Sequence, residues 1–220
     1  YVLLTKYMKE WFEWDVKYTV VEGISSKTKE DLEKPDQIKE KRKSILYAGM
    51  IEEKYGVVDL VKAFMQIDND EWSLELFGNG SSVNKIRELS KDDSRIHLRG
   101  LAPNAQVLRE QKEVELLVNP RNDTQSFTKY SFPSKVIEYM GSGTPMIGYK
   151  LSGMPEEYKE YFYCVNNTEN GLYDTLKMAM QLSSKERNEK GLQAQEFIVT
   201  KKTAVVQCNK IIEMLEQQYV

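Results

Sequence analysis

From Ser44 onward the chain alternates short apolar runs with stretches of helical periodicity. The runs fall at residues 45–48, 74–77, 96–98, 116–118, 146–148 and 162–165, and each is short enough to be a strand. Between the first two, Val57, Leu60, Val61 and Phe64 recur at spacings of three and four, which puts all four side chains on one helical face. Similar faces follow at Val83, Ile86 and Leu89, at Val107 and Leu108, at Val136, Ile137 and Met140, and at Leu172, Leu176, Ala179 and Met180. Strand, helix, strand, helix predicts an α/β fold: a Rossmann-like, doubly wound parallel sheet of about six strands with helices on both faces.

The flanks read differently. Residues 1–26 hold a helix-like stretch and a short alternating strand at 17–21, and the charged segment 25–42, with Leu32 and Ile38 its only large aliphatics, predicts a polar linker containing one turn or helix. After the last run no further strand is expected, and two helices split near residues 200–203 finish the chain. The division is therefore 1–26 as an N-terminal segment, 27–43 as linker, 44–182 as the sheet domain and 183–220 as C-terminal helices.

Composition narrows the chemistry. Hydrophobic residues make up 40% and charged residues 30%, enough for both a core and a soluble surface. With 31 basic against 34 acidic residues the net charge is -3, which argues against a nucleic-acid backbone as partner. Cys164 and Cys208 lack metal-ligand spacing and fit a reducing, cytoplasmic setting, and no metal or cofactor is expected. His97 reads as a buried or edge histidine rather than a base.

In a sheet of this kind ligands bind at the carboxyl ends of the strands, so the loops after the runs carry the candidate chemistry. The first is 49–56, with Gly49 and Gly56 at its ends and Lys54 able to add charge beside a helix N-terminus that favours anions; a plain strand-to-helix loop serves it as well. The second holds Gly78 and Gly80, followed by serines able to cap the next helix. In the third, Leu101 stands where an apolar side chain can cover a flat base, and Asn104 offers a cap. The fourth, 119–135, exceeds the usual ~2–6 residues of such connections and has the length of a binding loop. It carries Arg121 and ends at Ser134, a candidate cap, and Lys135. A lysine at a helix start is disfavoured by the dipole, and a bound diphosphate would resolve that conflict. Glu138, one turn further, can accept hydrogen bonds from ribose hydroxyls or be a solvated helix glutamate.

Taken in order, residues 47–49, 54–56, 76–80, 119–121, 130–143 and 153–158 resemble the C-terminal domain of retaining GT-B glycosyltransferases, specifically the group 1 transferases of capsular and exopolysaccharide synthesis. The resemblance spans roughly 44–181. It implies a donor-binding domain for a nucleoside-diphosphate sugar, UDP-linked by expectation, with a glycan or lipid-linked acceptor bound by a separate N-terminal domain of which residues 1–26 are a remnant. It also implies that the final helix can cross back to that domain, and that the full protein works in the cytoplasm, where peripheral association with the inner membrane face is open to it. Glu138 matches the second glutamate of the family's E-x7-E motif, the ribose ligand. The first glutamate's position is Tyr130, and Asp123 replaces it only in a rearranged loop. Met50 and Tyr55 stand where the family places an arginine and a lysine, leaving Lys54 and Lys135 for the diphosphate. The catalytic residues stay unassigned. A nucleotide-sugar epimerase of the same architecture and a non-catalytic nucleotide-sugar-binding domain are the alternatives.

Overall fold

The structure is a computed structural model that describes residues 1–33 and 40–217. In chain order it contains β1 (Val2–Leu3), β2 (Thr19–Val20), α1 (Glu30–Glu33), β3 (Arg42–Ala48), α2 (Val57–Met65), β4 (Ser73–Phe77), α3 (Val83–Leu89), β5 (Ile96–Gly100), α4 (Asn104–Glu113), β6 (Val114–Asn119), α5 (Ser134–Gly141), β7 (Met146–Gly148), β8 (Tyr163–Cys164), α6 (Gly171–Gln181), α7 (Ser184–Lys201) and α8 (Ala204–Glu216). Short 3-10 turns lie at Lys6–Trp11, Glu53–Tyr55, Ser126–Tyr130 and Glu156–Tyr161.

All six apolar runs are strands of one parallel sheet in the order β5-β4-β3-β6-β7-β8. Alternation along β3 explains its two-sided core. Ile45 and Tyr47 face a layer built from α2, α3 and α6, while Leu46 faces a second layer built from α5 and α7. The chain runs outward from β3 to β5 and then returns to pair β6 with β3, at Leu46↔Leu117. That reversal makes the carboxyl ends of β3 and β6 the switch point, where a crevice must open between diverging crossovers.

The N-terminal segment is more structured than its charge suggests. β1 and β2 pair in parallel, and the first 3-10 turn packs on the one at Ser126–Tyr130. The polar linker's one turn is α1; Ile38 lies outside the described residues. β3 begins at Arg42, two residues inside the expected linker. The helix break at 200–203 is where α7 gives way to α8, whose first turn is capped by the Thr203 hydroxyl accepting from the Val206 amide at 3.4 Å.

The two ends of the chain are clasped together. Lys202, 1% exposed, donates to Glu22 and to Glu157, and the Tyr158 hydroxyl donates to the same Glu22 oxygen at 2.9 Å. Burial works against ionisation of Glu22, yet the Lys202 ammonium and the Tyr158 hydroxyl hold its carboxyl below the usual range. Next to this cluster the Ser25 amide donates to the Lys202 carbonyl at 2.7 Å, and the Gln207 side chain donates to the Gly23 carbonyl at 2.7 Å.

Candidate functional site

The loops after β3, β4 and β5 stack on one another through their backbones. Gly49 donates to the Phe77 carbonyl at 2.9 Å, Ile51 to Asn79 at 2.9 Å, and Gly78 to Gly100 at 2.8 Å. Gly78, at φ +135°, is needed here because a Cβ would overlap the Gly49 carbonyl oxygen. Gly56, at φ +76°, similarly lets its loop close on the Pro120 carbonyl. This stack forms one wall of the crevice, and the first turn of α5 forms the other.

α5 is fixed to the end of β3 by two side chains one turn apart. The Lys135 ammonium donates to the Ala48 carbonyl at 2.8 Å and lies 4.3 Å from the centroid of the Tyr47 ring. Tyr139, wholly buried, accepts from the Ala48 amide at 2.8 Å and donates to its carbonyl at 3.2 Å. Burial pushes the Tyr139 phenol up, so it keeps its proton. Burial likewise pushes Lys135 down to about 8, a desolvated ammonium that an incoming anion would stabilise.

Two lobes of one cleft meet at Gly49, Met50, Ser134 and Lys135. The larger, about 440 Å³, is lined by Gly78, Asn79, Leu101, Ala102, Val107 and Glu138. The smaller, about 320 Å³, adds Tyr47, Tyr55, Asn119 and Arg121. Arg121 is stacked over Phe127 at 4.5 Å and donates to the Ser131 hydroxyl at 2.6 Å, and burial lowers its pKa. Its Nε is buried without a hydrogen-bond partner. Among the described residues neither Arg121 nor Lys135 is paired with a carboxylate.

Seven of the residues singled out from the sequence therefore converge: Gly49, Gly78, Leu101, Arg121, Ser134, Lys135 and Glu138. Leu101 stands 79% exposed over the larger lobe, as a cover for a planar group would. Three do not line the cleft. Gly56 and Gly80 are packing positions, where a Cβ would overlap the Pro120 and Ile51 carbonyls. Lys54 is turned to Glu52 at 2.8 Å. The caps also differ from expectation: Ser134 and Asn104 are the first residues of their helices, Pro133 and Pro103 occupy the cap positions, and neither these nor Ser82 caps through a side chain. Proline is compatible with the cap position because its fixed φ, −56° at Pro103 and −75° at Pro133, suits the non-helical entry and it has no side-chain acceptor to offer.

Tyr130 and Asp123 are both engaged elsewhere. The Tyr130 hydroxyl donates to Glu10 at 2.9 Å, beside Lys129, which reaches the same oxygen at 2.7 Å, and its ring lies 5.2 Å from that of Trp11. Asp123 accepts from the Ser152 amide at 3.0 Å and from its hydroxyl. Burial alone would raise the Asp123 carboxyl, but the Ser152 bonds, the Thr128 hydroxyl and the Arg121 charge together outweigh it and hold it low. It lines neither lobe. His97 lies on β5, the sheet's edge strand. The residues left without a role by the sequence are Tyr139 and Gln111, the second of which donates to Glu138 at 2.7 Å. Tyr139 is indistinguishable from an ordinary core position in a sequence, whereas Gln111 sits a turn beyond Val107 and Leu108, and a polar residue on an apolar face is a readable signal.

Among the described residues no group of three or more His, Cys, Asp or Glu could hold a metal ion, and no helix is long and apolar enough to cross a membrane. The profile of the family described as Glycosyl transferases group 1 matches residues 42–181. Similar solved structures include TarM (TM-score 0.74, 16% identity, 97% of this chain and 42% of that one), Anabaena HepE in complex with UDP and glucose (0.73, 14%, 98% and 62%), and WaaG, a glycosyltransferase involved in lipopolysaccharide biosynthesis (0.72, 15%, 94% and 60%). The chain thus spans 42% to 62% of the length of these three structures. No curated protein sequence matches it.

Proposed function

The chain belongs to the group 1 glycosyl transferases, and from that membership we propose that it binds the donor in sugar transfer from a nucleoside diphosphate to a glycan or lipid-linked acceptor, with retention. The observation that carries this reading is the pair Arg121 and Lys135: two cations without carboxylate partners, facing one cavity at the N-terminus of α5. A diphosphate supplies the missing counter-charge. In transfer, the same groups would stabilise the charge that develops on the departing diphosphate, worth more in a half-buried cleft than in water.

The larger lobe then takes the nucleoside, with Leu101 over the base and Glu138 at the ribose. UDP is the proposed nucleotide, supported by the UDP held in the HepE structure, and a role in polysaccharide synthesis is supported by the description of WaaG. The acceptor side is proposed to lie in the part of the architecture that this chain does not span. A lipid-linked acceptor would bring the whole protein to the cytoplasmic face of the membrane.

Calorimetric titration with UDP and with inorganic pyrophosphate tests the site. Binding of both is expected, lost in Arg121→Gln combined with Lys135→Met; no binding of any nucleoside diphosphate at millimolar concentration would sink the assignment. The anomeric configuration of the product made by the complete protein, read by proton NMR, tests retention. Tyr130 in place of the motif carboxylate favours one second reading, a nucleotide-sugar-binding domain without turnover. That reading requires donor affinity and no transfer in the complete protein.

A further inference from the structure

Gln111 lies near the end of α4 and is fully buried. Its side-chain nitrogen donates to Glu138 Oε1 at 2.7 Å, while its own side-chain oxygen is buried without a partner. The orientation of the amide is dictated by chemistry, because only the nitrogen end can donate to a carboxylate. An amide buried with an orphaned oxygen costs stability that an apolar side chain of the same length would not. Something other than stability must favour glutamine at this position. Glu138 itself is exposed at the boundary between the larger lobe and a neighbouring cavity of about 400 Å³, which Gln111 lines. An exposed glutamate on a helix samples several rotamers in water, and it loses that freedom when a ligand fixes it.

We infer that Gln111 is a positioning residue that holds the Glu138 carboxylate in the rotamer that receives the donor's ribose hydroxyls. The inference rests on the donor-site reading above. With Oε1 anchored from behind by Gln111, Oε2 and the second lone pair of Oε1 remain for the ribose diol. The glutamate is then ordered before the donor arrives, and the ordering cost falls on folding rather than on binding. Gln111 touches no part of the donor; it acts through Glu138.

The test compares UDP, 2′,3′-dideoxy-UDP and inorganic pyrophosphate on the native chain and three variants. Gln111→Met is expected to keep or raise the thermal midpoint while weakening UDP about tenfold, about 1.4 kcal/mol. It should leave dideoxy-UDP and pyrophosphate unchanged, so the preference for the intact ribose shrinks. Gln111→Glu would set a second carboxylate against Glu138, so that the pair shares a proton and UDP affinity gains a pH dependence between about pH 5 and 7 on top of the one that UDP's own terminal phosphate imposes on the native chain. A Gln111→Met variant that melts lower and loses pyrophosphate as much as UDP would show a strut between α4 and α5 and overturn the inference. Glu138→Ala separates the two levels. If it leaves the ribose preference intact, the ribose reading of Glu138 fails; if it abolishes the preference while Gln111→Met does not, the positioning role alone fails.

Discussion

On the proposed donor reading, Lys135 makes the cleft pH-sensitive, and the sign follows from its burial. In the free chain its ammonium titrates at about 8, because desolvation favours the neutral form. A bound diphosphate restores the counter-charge and moves the group back toward or beyond its ordinary value of 10.5. Binding therefore takes up a proton above about pH 8 and none below. UDP affinity should be level up to about pH 8 and then fall about tenfold for each further pH unit, so that at about pH 9 it is about tenfold weaker than at pH 7. The ligand does not confound this, since a terminal phosphate with a second pKa of about 6 is fully ionised throughout, and Arg121 stays protonated. The apoprotein should respond in the opposite direction. A lysine whose folded pKa lies below its unfolded one imposes its full cost below about pH 8 and is relieved as pH rises toward 10.5. The fall from 10.5 to about 8 corresponds to about 3 kcal/mol at most. Calorimetry of UDP binding from about pH 7 to 9.5, beside Lys135→Met, reads the effect directly. The variant should bind more weakly at pH 7 and show no slope. A level profile in the native chain, or an equal slope in the variant, would refute the reasoning.

Other substitutions separate the walls of the cleft from its occupants. Gly78→Ala places a Cβ on the Gly49 carbonyl at a φ that alanine rarely adopts; a loss of about 3 kcal/mol, or about 6–12 °C in Tm, should appear in a thermal melt together with loss of UDP binding. Leu101→Ser removes an exposed side chain and should leave Tm unchanged while weakening uridine several-fold and sparing pyrophosphate, a comparison that calorimetry makes directly. Lys202→Met leaves buried Glu22 with only the more distant Lys210, at 3.9 Å, as a cation and should cost up to about 3–5 kcal/mol in denaturant unfolding, with UDP affinity unchanged wherever the chain is still folded.

The sheet was legible because each of its strands is an apolar run and the first five are separated by helical periods, and the two-sided burial of a parallel sheet leaves little room for another reading of residues 45–48 or 116–118. The cleft was legible where a residue type conflicts with its local setting: Lys135 at a helix start is unfavourable until the anion is considered. Part of what stayed hidden was local side-chain choice: Lys54 turns to Glu52, only two residues away, rather than to the crevice, and Asn104 and Ser134 lie already inside their helices, one residue past the caps at Pro103 and Pro133. The engagement of Tyr130 by Glu10, 120 residues away, has no local signature at all.

The clasp between Glu22 and Lys202 sets an order of events during synthesis. The two residues are separated by 180 positions, so at about 5–20 residues per second Glu22 is synthesised about 9–36 s before its partner. Every group lining the cleft lies between residues 47 and 138, wholly within that interval. The residues that line the cleft are therefore all made while the Glu22 carboxylate still waits for its cation, but the α7 face against which α5 packs follows only at residues 184–201, so the wall of the cleft and the clasp at Lys202 are completed almost together.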